Sequence, residues 1–147
     1  MTAAEPGPDG RPMSAPKTSP ESLAGGIKPY ALTDHIHERE VGFHLSRLLG
    51  DEGQVKVAFT PCVGTWFSGI LAVASVPLKA RLTAKEVTAL FEERYAGEKL
   101  AKVGKDILGV KDVEGKHSWA AGGFQVHSGG ERAVVVVSFC FCWRPVY

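Results

Sequence analysis

The densest run of side chains able to do proton chemistry is Asp34-His35-Ile36-His37-Glu38-Arg39-Glu40. His35 and His37 stand two residues apart, so in an extended segment both imidazoles point to the same side. Glu40 follows His37 by three residues and reaches it across one turn of a helix. A carboxylate beside an imidazole favours the charged form and fixes the tautomer, which suits a general acid or base. The spacing therefore suits an acid/base site.

Two other interpretations of this cluster stay open on spacing alone. The segment is also typical of a solvated helix start that carries two surface histidines. Alternatively, His35 and His37 supply two ligands of a metal site, and His44 or Cys62 supplies a further one, because a zinc site needs three or four ligands. No local pattern marks either residue as a ligand, so we expect no metal site.

The remaining motifs indicate no second site. Cys140-Phe141-Cys142 places two thiols on one face of a strand, where cysteines commonly serve as small apolar residues. The segment Gly64 to Gly69 has the glycine spacing of a P-loop but lacks the Lys-Ser/Thr that must follow. No GxGxxG follows a strand, so the sequence encodes no dinucleotide-binding fold.

The composition limits the class of protein. A length of 147 residues suits one domain, and the net charge of +1 argues against a nucleic-acid partner. No apolar run approaches the roughly 18 residues of a membrane helix, so we expect no membrane partner. The N-terminal residues lack the apolar region of a secretory signal, and their acidic residues are unusual for a mitochondrial presequence.

The spacing of apolar residues and the positions of glycine and proline predict the helices and strands that must position this cluster. Proline-rich residues 1–26 predict an extended arm, and a short edge strand is predicted over 26–32. A helix is predicted over 37–49 because Val41, Leu45 and Leu48 lie on one helical face, with Gly50 as its C-cap. Further strands are predicted over 54–60 (half-buried), 69–78 (more buried), 122–127 and 132–141.

A second helix has the clearest start signal. Thr83-Ala84-Lys85-Glu86 matches a capping box, and the buried stripe of this helix is predicted to be Val87, Leu90, Phe91 and Tyr95. The order of two helices among several strands predicts an α+β fold. In that fold the helices pack on one face of a mixed, mainly antiparallel sheet.

Several blocks of the sequence, taken in their order along the chain, resemble those of a known enzyme family. They are Asp34 to Glu40, the Pro61…Trp66-Phe67-Ser68-Gly69-Ile70 block and Tyr95-Ala96-Gly97-Glu98-Lys99-Leu100. Over about residues 14–138 the chain resembles the C-terminal, substrate-handling half of N-acetyl-gamma-glutamyl-phosphate reductase. It is most similar to the fungal form, part of a mitochondrial polyprotein of arginine biosynthesis. The resemblance implies the C-terminal fold of glyceraldehyde-phosphate-dehydrogenase-like reductases and a mitochondrial location, with a cytoplasmic one as the alternative.

The resemblance also implies a chemistry. In this family a cysteine thiolate attacks the carbonyl of an acyl phosphate, phosphate leaves, and NADPH reduces the thioester to the semialdehyde. By resemblance His37 is the acid/base, Glu40 its orienting carboxylate and His35 a substrate or structural contact. The implied partners are a small acyl phosphate and either a second copy of the chain or the full-length reductase.

The sequence departs from the family pattern in three respects. The cofactor-binding half and its catalytic cysteine have no counterpart, so we expect NADP(H) not to bind this chain alone. Cys62 follows Pro61 where the family usually has histidine, and the pattern is lost after Ser138.

These departures set the expected organisation. We expect an arm over 1–26, a substrate and oligomerisation domain over 27–138 and a divergent tail over 139–147, forming an incomplete fragment that is inactive by itself. The alternative is a non-enzymatic module that docks to the full-length reductase. Val134 to Cys142, apolar and uncharged, is predicted to be an uncovered, aggregation-prone segment.

Overall fold

The computed structural model describes residues 23–50, 55–66 and 69–140. The chain divides into two compact units, Met1–Thr65 and Trp66–Tyr147. The predicted arm falls almost wholly outside the described residues, and so does the predicted tail beyond residue 140. The division into arm, domain and tail therefore stays a prediction.

The described part of the first unit contains two short strands and one helix. They are β1 (Ile27–Pro29), α1 (Ile36–Leu49) and β2 (Cys62–Gly64). Strand β1 pairs antiparallel with β2, which confirms the short predicted strand. Helix α1 ends at Gly50, whose φ of 65° places it in the left-handed region. Glycine tolerates this conformation, so Gly50 is the C-cap that the sequence predicts.

The buried residues of helix α1 differ from the apolar residues whose spacing predicted the helix. Leu45 is 38% exposed and Leu48 is 81% exposed. The buried residues are Gly42 and Ser46, because the segment 55–60 passes over them. A Cβ atom at Gly42 would lie 3.0 Å from the carbonyl oxygen of Val55. The glycine therefore permits the close approach of helix and segment.

The segment 55–60 forms no strand within the described residues, so the strand prediction is wrong here. Its side chains do alternate as predicted, with Val55, Val57 and Phe59 half-buried. Its backbone forms hydrogen bonds with side chains of α1, where a strand would pair with a neighbouring strand. Ser46 Oγ accepts a hydrogen bond from the Val55 N–H at 3.1 Å, and Glu38 Oε2 accepts one from the Phe59 N–H at 3.3 Å.

The second unit is built on a four-stranded sheet. Its elements are β3 (Ile70–Pro77), α2 (Ala84–Arg94), β4 (Ala101–Val103), α3 (Val110–Val113), β5 (Trp119–Val126) and β6 (Arg132–Phe139). The strand order is β3-β6-β5-β4. Strands β3 and β5 pair antiparallel with β6, and β4 pairs parallel with β5. The predicted α+β fold with a mixed, mainly antiparallel sheet is confirmed, although β2, β4 and α3 were not predicted.

The core of the second unit lies between α2 and the inner strands. Its buried members are Val87, Ala121, Phe124, Ala133 and Val135, and Phe91 packs against them. The capping box at the start of α2 is present as predicted. Leu90 is 55% exposed, so its place in the predicted buried stripe is wrong. The buried stripe of α2 is narrower than predicted because only one side of the helix contacts the sheet.

Strand β3 is correctly predicted in position and wrongly predicted in burial. All eight of its residues are exposed, because β3 lies at the end of the sheet. Strand β6 lies between β3 and β5, and it buries Val135, Val136 and Ser138. The expectation that this segment would be uncovered is therefore wrong for its described part, and the exposed apolar strand is β3.

Candidate functional site

The two histidines meet at the first turn of α1. Asp34 has a φ of 59°, a left-handed conformation that aspartate tolerates better than most residues. His35 then forms the N-cap in an extended conformation, and its Nδ1 accepts a hydrogen bond from the His37 N–H at 3.3 Å. The two imidazole centroids are 4.7 Å apart in an edge-on arrangement. The turn at Asp34 and the N-cap thus bring both rings together.

The N-cap contact assigns the proton of His35. A nitrogen that accepts a hydrogen bond carries no hydrogen, so the neutral ring holds its proton on Nε2. The edge of the Tyr30 ring packs against this imidazole, with centroids 5.5 Å apart. His35 is half-buried. It therefore presents a hydrogen-bond donor in a restricted orientation.

Glu40 approaches His37 as the spacing predicts. Its Oε2 lies 3.8 Å from His37 Nε2, and the two side chains are 54% and 58% exposed. This distance is that of a charge pair and is longer than a hydrogen bond. Solvent weakens such an exposed pair, so Glu40 adds charge beside an imidazole that solvent can reach.

The other candidate ligands do not join this cluster. Cys62 is an exposed free thiol on β2, and its Sγ lies 3.9 Å from the carbonyl oxygen of Thr60. His44 packs edge-on against Phe43, with ring centroids 5.5 Å apart. Across the described residues no group of three or more His, Cys, Asp or Glu side chains could hold a metal ion.

Three residues near the histidines were not predicted to belong to the site. Tyr30 and Phe59 contribute rings that pack on the imidazoles, and Glu38 binds the backbone of Phe59. The alternation of Val55, Val57 and Phe59 was the available signal, since it places the Phe59 side chain on the less exposed side. The hydrogen bond between Glu38 and Phe59 joins residues 21 apart in sequence, and local sequence patterns do not predict a contact of that range.

The described residues do not fit a dinucleotide cofactor. Strands β4 and β5 are parallel neighbours with α3 between them in sequence, which is the connection that such a fold uses. However, α3 has only four residues, and the residues before it lack GxGxxG. We therefore derive no step at the cofactor within this chain.

Comparison with known proteins decides the family. The family model described as "Semialdehyde dehydrogenase, dimerisation domain" matches residues 9–139. The chain belongs to this family. The predicted family resemblance is thereby confirmed at the level of the domain. Membership also supports self-association, because the name of the domain refers to dimerisation.

The relatives of this dimerisation domain include fungal mitochondrial proteins and bacterial enzymes that carry the predicted name. The protein arg11, mitochondrial, of Schizosaccharomyces pombe is 44% identical over 124 residues, which is 84% of this chain and 13% of that protein. The N-acetyl-gamma-glutamyl-phosphate reductase of Stenotrophomonas maltophilia is 37% identical over 122 residues, covering 83% of this chain and 36% of that protein. The match thus spans between about an eighth and just over a third of these relatives.

Solved structures support the same fold for the domain. Aspartate semialdehyde dehydrogenase II from Vibrio cholerae superposes with a TM-score of 0.64 at 16% identity, over 81% of this chain and 37% of that one. The aspartate semialdehyde dehydrogenase from Francisella tularensis gives a TM-score of 0.62 at 14% identity, over 81% of this chain and 35% of that one.

Among the described residues, no helix has the length and hydropathy needed to cross a bilayer.

Proposed function

We propose that this chain is the substrate domain of an N-acetyl-gamma-glutamyl-phosphate reductase and that His37 is its general acid/base. One observation carries the proposal. The start of α1 holds two imidazoles with centroids 4.7 Å apart and a carboxylate oxygen 3.8 Å from His37 Nε2. An accessible imidazole beside a carboxylate suits the proton transfers of acyl-group chemistry.

Each residue of the cluster has a distinct role in the proposed reaction. His37 accepts the proton that the thiol nucleophile releases as it attacks the acyl phosphate. Once the thioester has been reduced, the C–S bond breaks as the carbonyl of the semialdehyde forms, and His37 returns the proton to the departing thiolate. Glu40 offsets the positive charge that the imidazole gains in between. His35 donates a hydrogen bond from Nε2 to a substrate oxygen, because its Nδ1 is already occupied by the His37 N–H.

The hydride and the nucleophile must come from outside the described residues. When bound to the whole enzyme, NADPH supplies the hydride, and a cysteine of the cofactor domain supplies the thiolate. We therefore propose that the chain alone does not catalyse the reaction. It contributes the acid/base and the substrate contacts to a partner that holds the cofactor.

The test measures phosphate-dependent reduction of NADP with N-acetylglutamate semialdehyde as substrate. One sample is the chain alone, and the other is a chimera in which residues 9–139 replace the matching region of the S. maltophilia reductase. We expect no turnover by the chain alone and measurable turnover by the chimera. Turnover by the chain alone, or a correctly folded chimera without activity, would contradict the proposal.

A second candidate function is a non-enzymatic module that docks to a full-length reductase. The uncharged strand β3, all of whose residues are exposed, favours this candidate, since an apolar edge strand readily pairs with another chain. Co-purification with a full-length relative such as S. pombe arg11 would support it, provided that Val73→Lys weakens the capture. Failure of the wild-type chain to bind that protein would remove it.

The proposed location is the mitochondrion. The fungal relatives from Schizosaccharomyces pombe, Neurospora crassa and Candida albicans are all named as mitochondrial proteins. Cell fractionation of the untagged protein tests this location. Recovery in the cytosol alone would contradict this location.

A further inference from the structure

A single hydrogen bond connects the histidine turn to a remote part of the chain. Glu38 lies between His37 and Glu40 in sequence, but its side chain does not approach either imidazole in any resolved contact. Instead, Glu38 Oε2 accepts a hydrogen bond from the Phe59 N–H at 3.3 Å, in a half-buried position. Glu38 therefore fixes where the backbone of Phe59 lies along α1.

The ring of Phe59 packs against both imidazoles. Its centroid is 5.7 Å from that of His35 and 6.2 Å from that of His37. Tyr30 contacts His35 as well, at 5.5 Å, and its own N–H donates to the Pro61 carbonyl at 3.1 Å. Both aromatic residues are thus tied by backbone hydrogen bonds beside the histidine pair.

We propose that Glu38 is a positioning residue for the His35–His37 pair and acts through Phe59. An imidazole at a solvent-exposed helix start rotates freely between rotamers unless a neighbour restricts it. The Phe59 ring restricts both imidazoles, and Glu38 holds that ring by its backbone. The effect of Glu38 on catalysis rests on the proposed function. The hydrogen bond between Glu38 and Phe59 does not depend on it.

Two variants separate the hydrogen bond of Glu38 from its charge. Glu38→Gln removes the negative charge from the first turn of α1 and keeps a side-chain oxygen that can accept the Phe59 N–H. Glu38→Ala removes both. Arg39→Ala alters the neighbouring exposed side chain and serves as the matched control.

Nuclear magnetic resonance of the whole chain gives a readout that is independent of activity. In the wild type we expect nuclear Overhauser contacts between the Phe59 ring and both imidazoles, and 15N shifts of His35 typical of a proton on Nε2. Glu38→Gln and Arg39→Ala should retain these signals, and Glu38→Ala should lose the ring contacts. Retention of the contacts in Glu38→Ala, or their loss in Glu38→Gln, would overturn the proposal.

A further variant guards against a general loss of structure. Phe59→Leu keeps the backbone N–H and an apolar side chain but removes the ring. We expect it to retain the helical signal of α1 while the shifts of both histidine rings move as they do in Glu38→Ala. Histidine shifts that stay at their wild-type values in Phe59→Leu would show that the ring does not position the pair.

The reductase chimera then tests the catalytic consequence. Glu38→Ala should lower kcat about tenfold or more, since small misplacements of a catalytic group are costly, with KM little changed and with Glu38→Gln near wild type. Unchanged kcat in a variant that has lost the ring contacts would overturn the positioning role. Failure of the proposed function is recognised separately, by an inactive wild-type chimera that still shows the ring contacts.

Discussion

His35 makes a structural contact and, in the proposed function, also a chemical one. Its Nδ1 caps the first turn of α1, and the same contact leaves the proton on Nε2, where the proposed reaction needs a donor. Histidine is not among the preferred N-cap residues. Its use at this position is accounted for by the second role, because asparagine or serine would cap the helix and present no imidazole.

The two roles of His35 are separable by mutation. His35→Asn should keep the stability of the first unit or raise it, whereas His35→Ala should lower it by about 0.5–1 kcal/mol. His44→Ala, at an exposed position of α1, is the control and should not destabilise the helix. Chemical unfolding followed by the helical circular dichroism signal makes the comparison. Equal loss in the Asn and Ala variants would show that the N-cap contact adds no stability.

Helix α2 shows how a local motif sets an element. Thr83 Oγ1 accepts the Glu86 N–H at 3.3 Å, and Glu86 Oε2 accepts the Thr83 N–H at 2.7 Å. We expect Thr83→Ala to lower the free energy of unfolding by about 1 kcal/mol, and Thr83→Ser to change it little, because serine retains the hydroxyl. Equilibrium denaturation measures both, and a Thr83→Ala variant as stable as Thr83→Ser would contradict this account.

The capping box also predicts a dependence on pH. Hydrogen bonds from the backbone and then the side chain of Thr83 lower the pKa of Glu86. A carboxylate with a lowered pKa in the folded state stabilises the protein above its unfolded pKa, about 4.3, and loses that contribution as the pH falls through the folded value. The stability difference between wild type and Glu86→Gln should therefore be present at neutral pH and vanish in acid. A constant difference across this range would contradict the prediction.

The sequence predicted elements defined by neighbouring residues better than those defined by distant pairing. Thr83 and Glu86 form a signal within four residues, and Gly50 marks a helix end directly. The exposure of β3 depends on its position at the end of the sheet, which no local pattern contains. Near the start of α1, the spacing of His35, His37 and Glu40 predicted that their side chains lie close together. The contact between Glu38 and Phe59 joins residues 21 apart, and no local pattern predicted it.

At the scale of the whole molecule, the second unit presents an apolar edge. Val73 is 64% exposed in the middle of β3, and this strand carries no charge along its eight residues. Such an edge is an open template for pairing with another chain, and an edge lysine is a common natural protection. The family name refers to dimerisation, so association through some surface of this domain is expected.

A lysine on the edge strand should reduce self-association of the isolated chain. We expect Val73→Lys to shift the protein towards smaller species in analytical ultracentrifugation without loss of folded structure. Leu100→Lys, at an apolar position 61% exposed in the same unit, is the matched control and should leave the distribution unchanged. Equal effects of the two substitutions would show that general solubility, and not the edge of β3, controls association.

In the proposed function, His37 is the acid/base of a reductase substrate domain. The most direct measurement compares kcat of the wild-type reductase chimera with that of His37→Asn and of His44→Asn, an exposed histidine on the same helix. We predict a loss of about a hundredfold or more for His37→Asn, the usual contribution of a general acid/base, and near wild-type kcat for His44→Asn. A His37→Asn chimera with wild-type turnover would contradict the account.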